Sequence, residues 1–293
     1  MDGALVVDKP AGWTSHDVVN KIRRLAGTRR VGHLGTLDPL ATGVLPVLIG
    51  RATRLARFFT RSDKVYEGVI RFGFATDTFD GDGEATSPET TPTLDFDQLD
   101  QMMDRYRGRF LQTPPPVSAK KVHGVPAYKL ARKHKPVELE PVEVEMYELR
   151  LLGVEGAEAR VRAHCSAGTY LRAVAHELGQ ELGCGAHLKA LRRTASGEFL
   201  AEQARTVEVL AELAREGRLE EALIPAAQLM PDIPSQFVDE IIEGRIRQGR
   251  DFPVSPYRVP RQARYVKAVN RAGGLIAVGE MKLPNVCHPV VVL

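Results

Sequence analysis

The chain has 293 residues, 43% hydrophobic and 26% charged, with a net charge of +3 at pH 7, which is ordinary for a globular protein of one large domain or a large and a small one. No apolar run reaches the roughly 18 residues that a membrane span requires, and "MDGALVVDKPAGW" lacks the basic and long apolar regions of a secretory signal. Three widely spaced cysteines (Cys165, Cys184, Cys287) read as reduced thiols and not as a disulfide framework, so the expected compartment is the cytoplasm.

In chain order, "ALVVDKP" predicts a short strand stopped by Pro10. "TSHDVVNKIRRLAG" predicts a helix: Thr14 and Asp17 form a capping-box pattern, Val18, Val19, Ile22, Leu25 and Ala26 share a face, and Gly27 ends it. "VLPVLIG" reads as a buried strand or a helix start. "KVYEGVIRFGF" alternates, with Tyr66, Gly68, Ile70 and Phe72 on one side of a strand. "TLDFDQLDQMMDRYRGRF" reads as one helix. The stretch from three consecutive prolines through "KKVHGVPAYKLARKHKPV" reads as a basic arm, about residues 113–138. "VEVEMYELRLLGVEGAEARVRAHCS" predicts two strands joined by a turn, and "TYLRAVAHELGQELG" an amphipathic helix. An acidic helix is expected around 206–222, a domain hinge at "LIPAAQLMPDIP", and a small β-rich module after it. These elements predict an α+β catalytic domain, residues 1–230, on a long, mostly antiparallel mixed sheet, followed by a module at 231–293.

Charge is unevenly spread. Residues 9–64 hold eleven Lys or Arg against three acids, and residues 118–135 hold six with no acid. Residues 239–271 hold eight against four acids. Folding can gather such blocks into one polyanion-binding face, although a solvated surface explains charge alone equally well. No zinc spacing is present. "TFDGDGEATSPE" imitates a calcium loop but starts with Thr78 and is interrupted by Pro88. There is no phosphate-cradling glycine motif, so neither metal nor cofactor is expected.

Three residues remain. Asp38 is the one carboxylate of the glycine-rich "GHLGTLDPLATG", with Pro39 restricting its backbone and His33 five residues earlier. A turn-initiating Asp-Pro is the plain alternative. Arg172 falls in the first turn of its helix, where a cation opposes the dipole. It is either aimed at a carboxylate or a surface residue. Tyr66 is either packed or a stacking platform for a base beside a basic loop.

Five segments, "VVDKPAGWTSHDVV", "VGHLGTLDPLATGVLPVLIGRATR", "DKVYEGVIRFGFATDTFDGDG", "PPPVSAKKVHGVPAY" and "CSAGTYLRAVAHELGQELGCGAHLKALRR", give a chain that resembles the TruB family of tRNA pseudouridine synthases. The resemblance implies the pseudouridine synthase fold and a small C-terminal PUA-like RNA-binding barrel. It implies that Asp38 starts glycosidic bond exchange, Tyr66 stacks on the target uracil and Arg172 pairs with the aspartate. His33 would fill the space left by the flipped nucleotide, Tyr170 and Leu191 would contact the nucleoside, and Lys9 and Pro10 would support the loop. The implied reaction converts uridine to pseudouridine at position 55 in the T-loop of tRNA. The enzyme would act alone, without membrane, cofactor or obligate protein partner, as a monomer. The rivals are a guide-RNA-dependent enzyme of the dyskerin type and a non-catalytic RNA-binding or RNA-folding module. One acid among cations would be held ionised by an arginine neighbour, whereas a second acid nearby would raise its pKa.

Overall fold

Strand β1 (Gly3–Lys9) and strand β3 (Thr42–Ile49) form the centre of the molecule, and both are buried almost throughout. Neither alternates, because each face meets its own core. Leu5, Val7, Leu45, Val47 and Ile49 pack with Val18, Val19 and Ile22 of helix α1 (Ser15–Leu25). Ala4, Val6, Val44 and Leu48 belong to a second core on the opposite face. In α1 the Thr14–Asp17 capping box is present.

The computed structural model describes residues 1–116 and 139–293, and between them only the backbone of Lys121–Val122 and Val125–Pro126. Most of the expected basic arm therefore lies outside the described residues. The remaining main strands are β2 (Val31–His33), β4 (Lys64–Phe72), β5 (Gly108–Gln112), β6 (Val142–Glu155), β7 (Glu158–Cys165) and β8 (Ala186–Ser196). The sheet runs Arg205–Thr206, β1, β3, β8, β4, β7, β6, β5, with β2 beside β3. Among the described strands of this sheet, β8 with β3 and β1 with Arg205–Thr206 pair in parallel and the others antiparallel, so the sheet is mixed and mostly antiparallel. Helices α2 (Phe96–Met103) and α3 (Leu171–Glu181) cover the β4–β7–β6 part through Leu99, Met103, Val174 and Leu178. Helix α4 (Val207–Arg215) joins the core of α1 through Val207 and Leu210.

The expected helix over 93–110 is split. Helix α2 gives way to a tight turn at Asp104–Tyr106, and Gly108, at φ +80°, starts strand β5. "AHLKALRRTAS", which has no clear period, is the long strand β8.

Residues after 234 form their own five-stranded sheet, in the order β9 (Ser235–Phe237), β11 (Tyr265–Val269), β12 (Leu275–Leu283), β13 (Val286–Val292), β10 (Phe252–Pro253). Helix α5 (Glu240–Arg247), absent from the sequence reading, starts at Asp239, whose carboxylate accepts from Ile242 N. The segment read as a hinge is gripped from both sides. Lys267 of β11, 4% exposed, donates to the carbonyls of Ala227 (3.0 Å) and Leu229 (2.9 Å). The Glu198 carboxylate accepts from Met230 N at 3.0 and 3.1 Å. Val269, Leu275, Val278, Val291 and Leu293 of this module share one continuous core with Ala4, Val6, Leu34, Val44 and Leu48.

Candidate active site

The loop between β2 and β3 carries Asp38, and its neighbours on both sides are tied down. Ser15 Oγ, at the start of α1, accepts from Leu37 N (2.8 Å) and donates to Leu37 O (3.0 Å). Lys9, at the end of β1, is fully buried, and its Nζ donates to the carbonyls of Pro10 (2.8 Å), Trp13 (2.6 Å) and Pro39 (3.2 Å). Gly12 N also donates to Pro39 O at 2.9 Å. Three ammonium protons thus meet three carbonyls, although burial pushes Lys9 down to about 8, with the Asp38 charge acting in the other direction. Lys9 thus reaches both Trp13 and Pro39 of the loop region, while Pro10 contributes its carbonyl to the Lys9 ammonium.

Arg172 is the second residue of α3 and is 4% exposed. Its Nε lies 2.9 Å from Asp38 Oδ2. Its Nη1 donates to Thr78 O (2.9 Å) and lies 3.4 Å from Asp80 Oδ2. The dipole at a helix N-terminus costs a cation about 0.3–1 kcal/mol, whereas breaking a buried ion pair costs about 3–5 kcal/mol. The ion pairs therefore outweigh the dipole and account for the arginine's place. Asp38 differs from its partners in one respect: its side chain is 36% exposed, against 4% for Arg172 and 6% for Asp80. The arginine is closed in, and the carboxylate is the face open to a ligand.

Asp38 is not the only acid at the site. Asp80, from the sequence that imitates a calcium loop, is held by Thr78 Oγ1 (2.6 Å) and Asp82 N (3.2 Å) and faces the same guanidinium. Burial is the main influence on Asp38 and raises its pKa, Arg172 opposes this, and Asp80 adds to it. The net direction is upward, so the expectation of an aspartate held low by a lone arginine is corrected. Asp38 and Asp80 are 42 positions apart and Asp80 and Arg172 are 92 apart, so no spacing signal could have joined them.

Phe79 keeps the intervening loop in place. Its φ of +65° costs a non-glycine residue about 1–2 kcal/mol. Its ring stacks on His176, one turn after Arg172, with centroids 3.7 Å apart.

Tyr66 and Leu191 lie on neighbouring strands β4 and β8, half-buried, and each packs against both the α1 core and the α3 core. Beside Tyr66 in register is Arg193, 1% exposed, whose guanidinium donates to Val44 O (2.7 Å) and Gly35 O (3.1 Å). No carboxylate among the described residues lies within ion-pair distance of it. Burial raises the Tyr66 phenol above its ordinary value, and Arg193, hydrogen-bonded to it, draws it back. Tyr66 is therefore a neutral phenol at pH 7. His33 ends β2, and burial, then Arg193, lowers its pKa, so the ring is neutral. Tyr170 is the residue before α3; Gln112 Oε1 accepts from its N–H (2.8 Å) and Gln112 Nε2 donates to its carbonyl (3.0 Å). Sequence reading gives no site role to Asp80, Arg193, Ser15 or Gln112: Asp80 enters it only as part of a failed calcium loop, and the other three are not singled out.

Comparisons with known proteins bear on the family and the fold. Residues 23–171 match the N-terminal domain of TruB family pseudouridylate synthase, and residues 172–231 match the tRNA pseudouridylate synthase B C-terminal domain. The chain is 61% identical to tRNA pseudouridine synthase B of Solibacter usitatus over all 293 residues, covering 100% of both chains. It is 46% identical to the enzyme of that name from Opitutus terrae, over 80% of this chain and 96% of the other. Among solved structures, a chain of a Cbf5–Nop10–Gar1 complex matches with a TM-score of 0.72 at 26% identity, over 97% of this chain and 79% of that one. The archaeal box H/ACA sRNP Nop10–Cbf5 complex matches in fold with a TM-score of 0.70 at 22% identity, over 99% of this chain and 85% of that one. The family models matched over residues 23–231 and the relative 61% identical over the whole chain show that the protein belongs to the TruB family of pseudouridylate synthases.

Proposed function

We propose that this enzyme isomerises uridine to pseudouridine at position 55 in the T-loop of tRNA. The observation that carries the reading is the Arg172 Nε–Asp38 Oδ2 pair of 2.9 Å, with only the aspartate open to solvent. In the reaction the bond from N1 to C1′ breaks, the uracil turns while held, and C5 bonds to C1′. The proton lost from C5 is balanced by one gained at N1, so no group enters or leaves. Asp38, ionised, attacks the sugar or deprotonates it. Arg172 holds the carboxylate oxygen and compensates its charge. Tyr66 stacks on the extruded base, recovering about 1–3 kcal/mol of the few that extrusion costs. Tyr66, beside Arg193, is one candidate for moving the C5 proton, its phenol oxygen taking that proton as it gives up its own. His33 occupies the space that the base leaves, and Tyr170 and Leu191 contact the nucleoside.

In this reading residues 1–230 are the catalytic domain and 231–293 a PUA-like RNA-binding domain. The chain acts in the cytoplasm as a monomer with no protein partner. The basic blocks of the sequence supply phosphate affinity, and a short loop presents an extrudable base more cheaply than a paired stem. The test is the purified chain with a T-arm hairpin, excess EDTA and no guide RNA. Pseudouridine at the T-loop uridine is the expected result. A strict need for a guide RNA would assign the chain to the guide-dependent class, and hairpin binding without any product would assign it to a non-catalytic module.

A further inference from the structure

Strand β5 has an inverted burial pattern. Leu111 is 70% exposed, whereas Gln112 next to it is 1% exposed and is the one buried residue of the strand. A register slip of one residue would bury the leucine and free the amide. Burying an amide is costly without partners, so this register must serve what Gln112 binds. Its partners are both backbone groups of Tyr170, at 2.8 and 3.0 Å, and this pairing fixes which end of the amide faces which group.

Tyr170 is the N-cap of α3 and makes no capping bond with its side chain. Helix starts leave several N–H groups without partners inside the helix, so an uncapped first turn is poorly fixed by its own sequence. Arg172 sits in that turn, against the helix dipole, and must still meet Asp38 at 2.9 Å. We infer that Gln112 is a positioning residue: it clamps the backbone of Tyr170 so that the first turn of α3 presents the Arg172 guanidinium to Asp38. The inference rests on the proposed reaction only where the test measures turnover.

The test uses Gln112→Glu and Gln112→Met in the full chain. Glu keeps an acceptor for Tyr170 N–H but sets a carboxylate oxygen against the Tyr170 carbonyl. Met keeps the length and removes both bonds. On a T-arm hairpin, kcat should fall about ten- to a hundredfold, as displacements near 1 Å do, with KM within about twofold. In an Arg172→Lys background the same changes should cost less than about threefold more, because both act through one contact. Independently of turnover, the Arg172 Nε–H resonance, assigned by its loss in Arg172→Lys, should exchange with solvent faster in both Gln112 variants. A rise in KM at constant kcat would make Gln112 an RNA contact and overturn the inference. So would losses that multiply in full in the double variant, or an unchanged Nε–H. If both variants lose the fold, Gln112 holds the sheet edge and not the site, and the inference is wrong. Wild-type inactivity would count against the proposed reaction, and the Nε–H comparison would still decide the role of Gln112.

Discussion

At Asp38, burial and Asp80 act against Arg172, and the outcome is a pKa above the ordinary aspartate value of 3.8. In the proposed reaction the working form is the ionised one. Activity should therefore be lost as pH falls through a value higher than that of a free aspartate, which the acid limb of kcat/KM on the hairpin measures. Asp80→Asn removes a like charge and should move this limb to lower pH; it also leaves Arg172 with one carboxylate fewer and should lower kcat. A limb that moves upward would mean that Asp80 acts on Asp38 by some route other than its charge. Asp38→Asn should fold and bind tRNA and yield no pseudouridine by mass spectrometry. Arg172→Lys keeps the charge but has one nitrogen where the guanidinium uses two, on Asp38 and on Asp80 with Thr78. We expect kcat to fall about a hundredfold with little change in KM. A fall in affinity alone would make Arg172 a phosphate contact.

The loop that carries Asp38 depends on two glycines for different reasons, and substitution should separate them. Gly43 has φ +97°, and a Cβ there would lie 2.2 Å from the Arg193 carbonyl, where β3 and β8 pair in parallel. Gly35 has φ +105°, but the nearest atom to its Cβ position is 3.7 Å away, on the Arg193 side chain. Gly35→Ala should cost about 1–3 kcal/mol of backbone strain and still fold, whereas Gly43→Ala should cost more and give little folded protein. Urea unfolding of the two variants compares them. The elements themselves were largely legible: α1 from its capping box and apolar face, β4 from alternation, and the β6–β7 hairpin from its two apolar runs about a turn. Asp38, Tyr66 and Arg172 stood out because each looked misplaced against its local surroundings. Strand β8 was not legible, because it is buried unevenly and period 2 is lost at its bulges. Gln112, Ser15 and Asp80 were not legible because each acts on a backbone group or a side chain far away in sequence, which leaves no periodic trace.

On the scale of the whole molecule, the C-terminal module is part of the support beneath the loop and not an appendage. It shares a core with Leu34 and Val44, and Arg54 Nη1 donates to the carbonyl of Val292 at 2.6 Å. Reading residues 223–234 as a hinge would let a chain cut after residue 230 turn over normally at saturating RNA. The shared core predicts otherwise: the shortened chain should melt at lower temperature and bind a fluorescent apolar dye, and its kcat should fall along with its affinity. Unchanged melting would show that the catalytic part stands alone. The arrangement around β1 has a further consequence during biosynthesis. This strand is made long before some of its neighbours, which include Arg205–Thr206 and Ile224–Pro225 as well as β3. At about 5–20 residues per second, β1 waits on the order of ten seconds or more for its last partners. For that interval the apolar residues of "GALVVDK" are an unpaired edge, and nascent chains halted before residue 200 should be protease-sensitive and bound by chaperones, whereas released full-length chains should be neither.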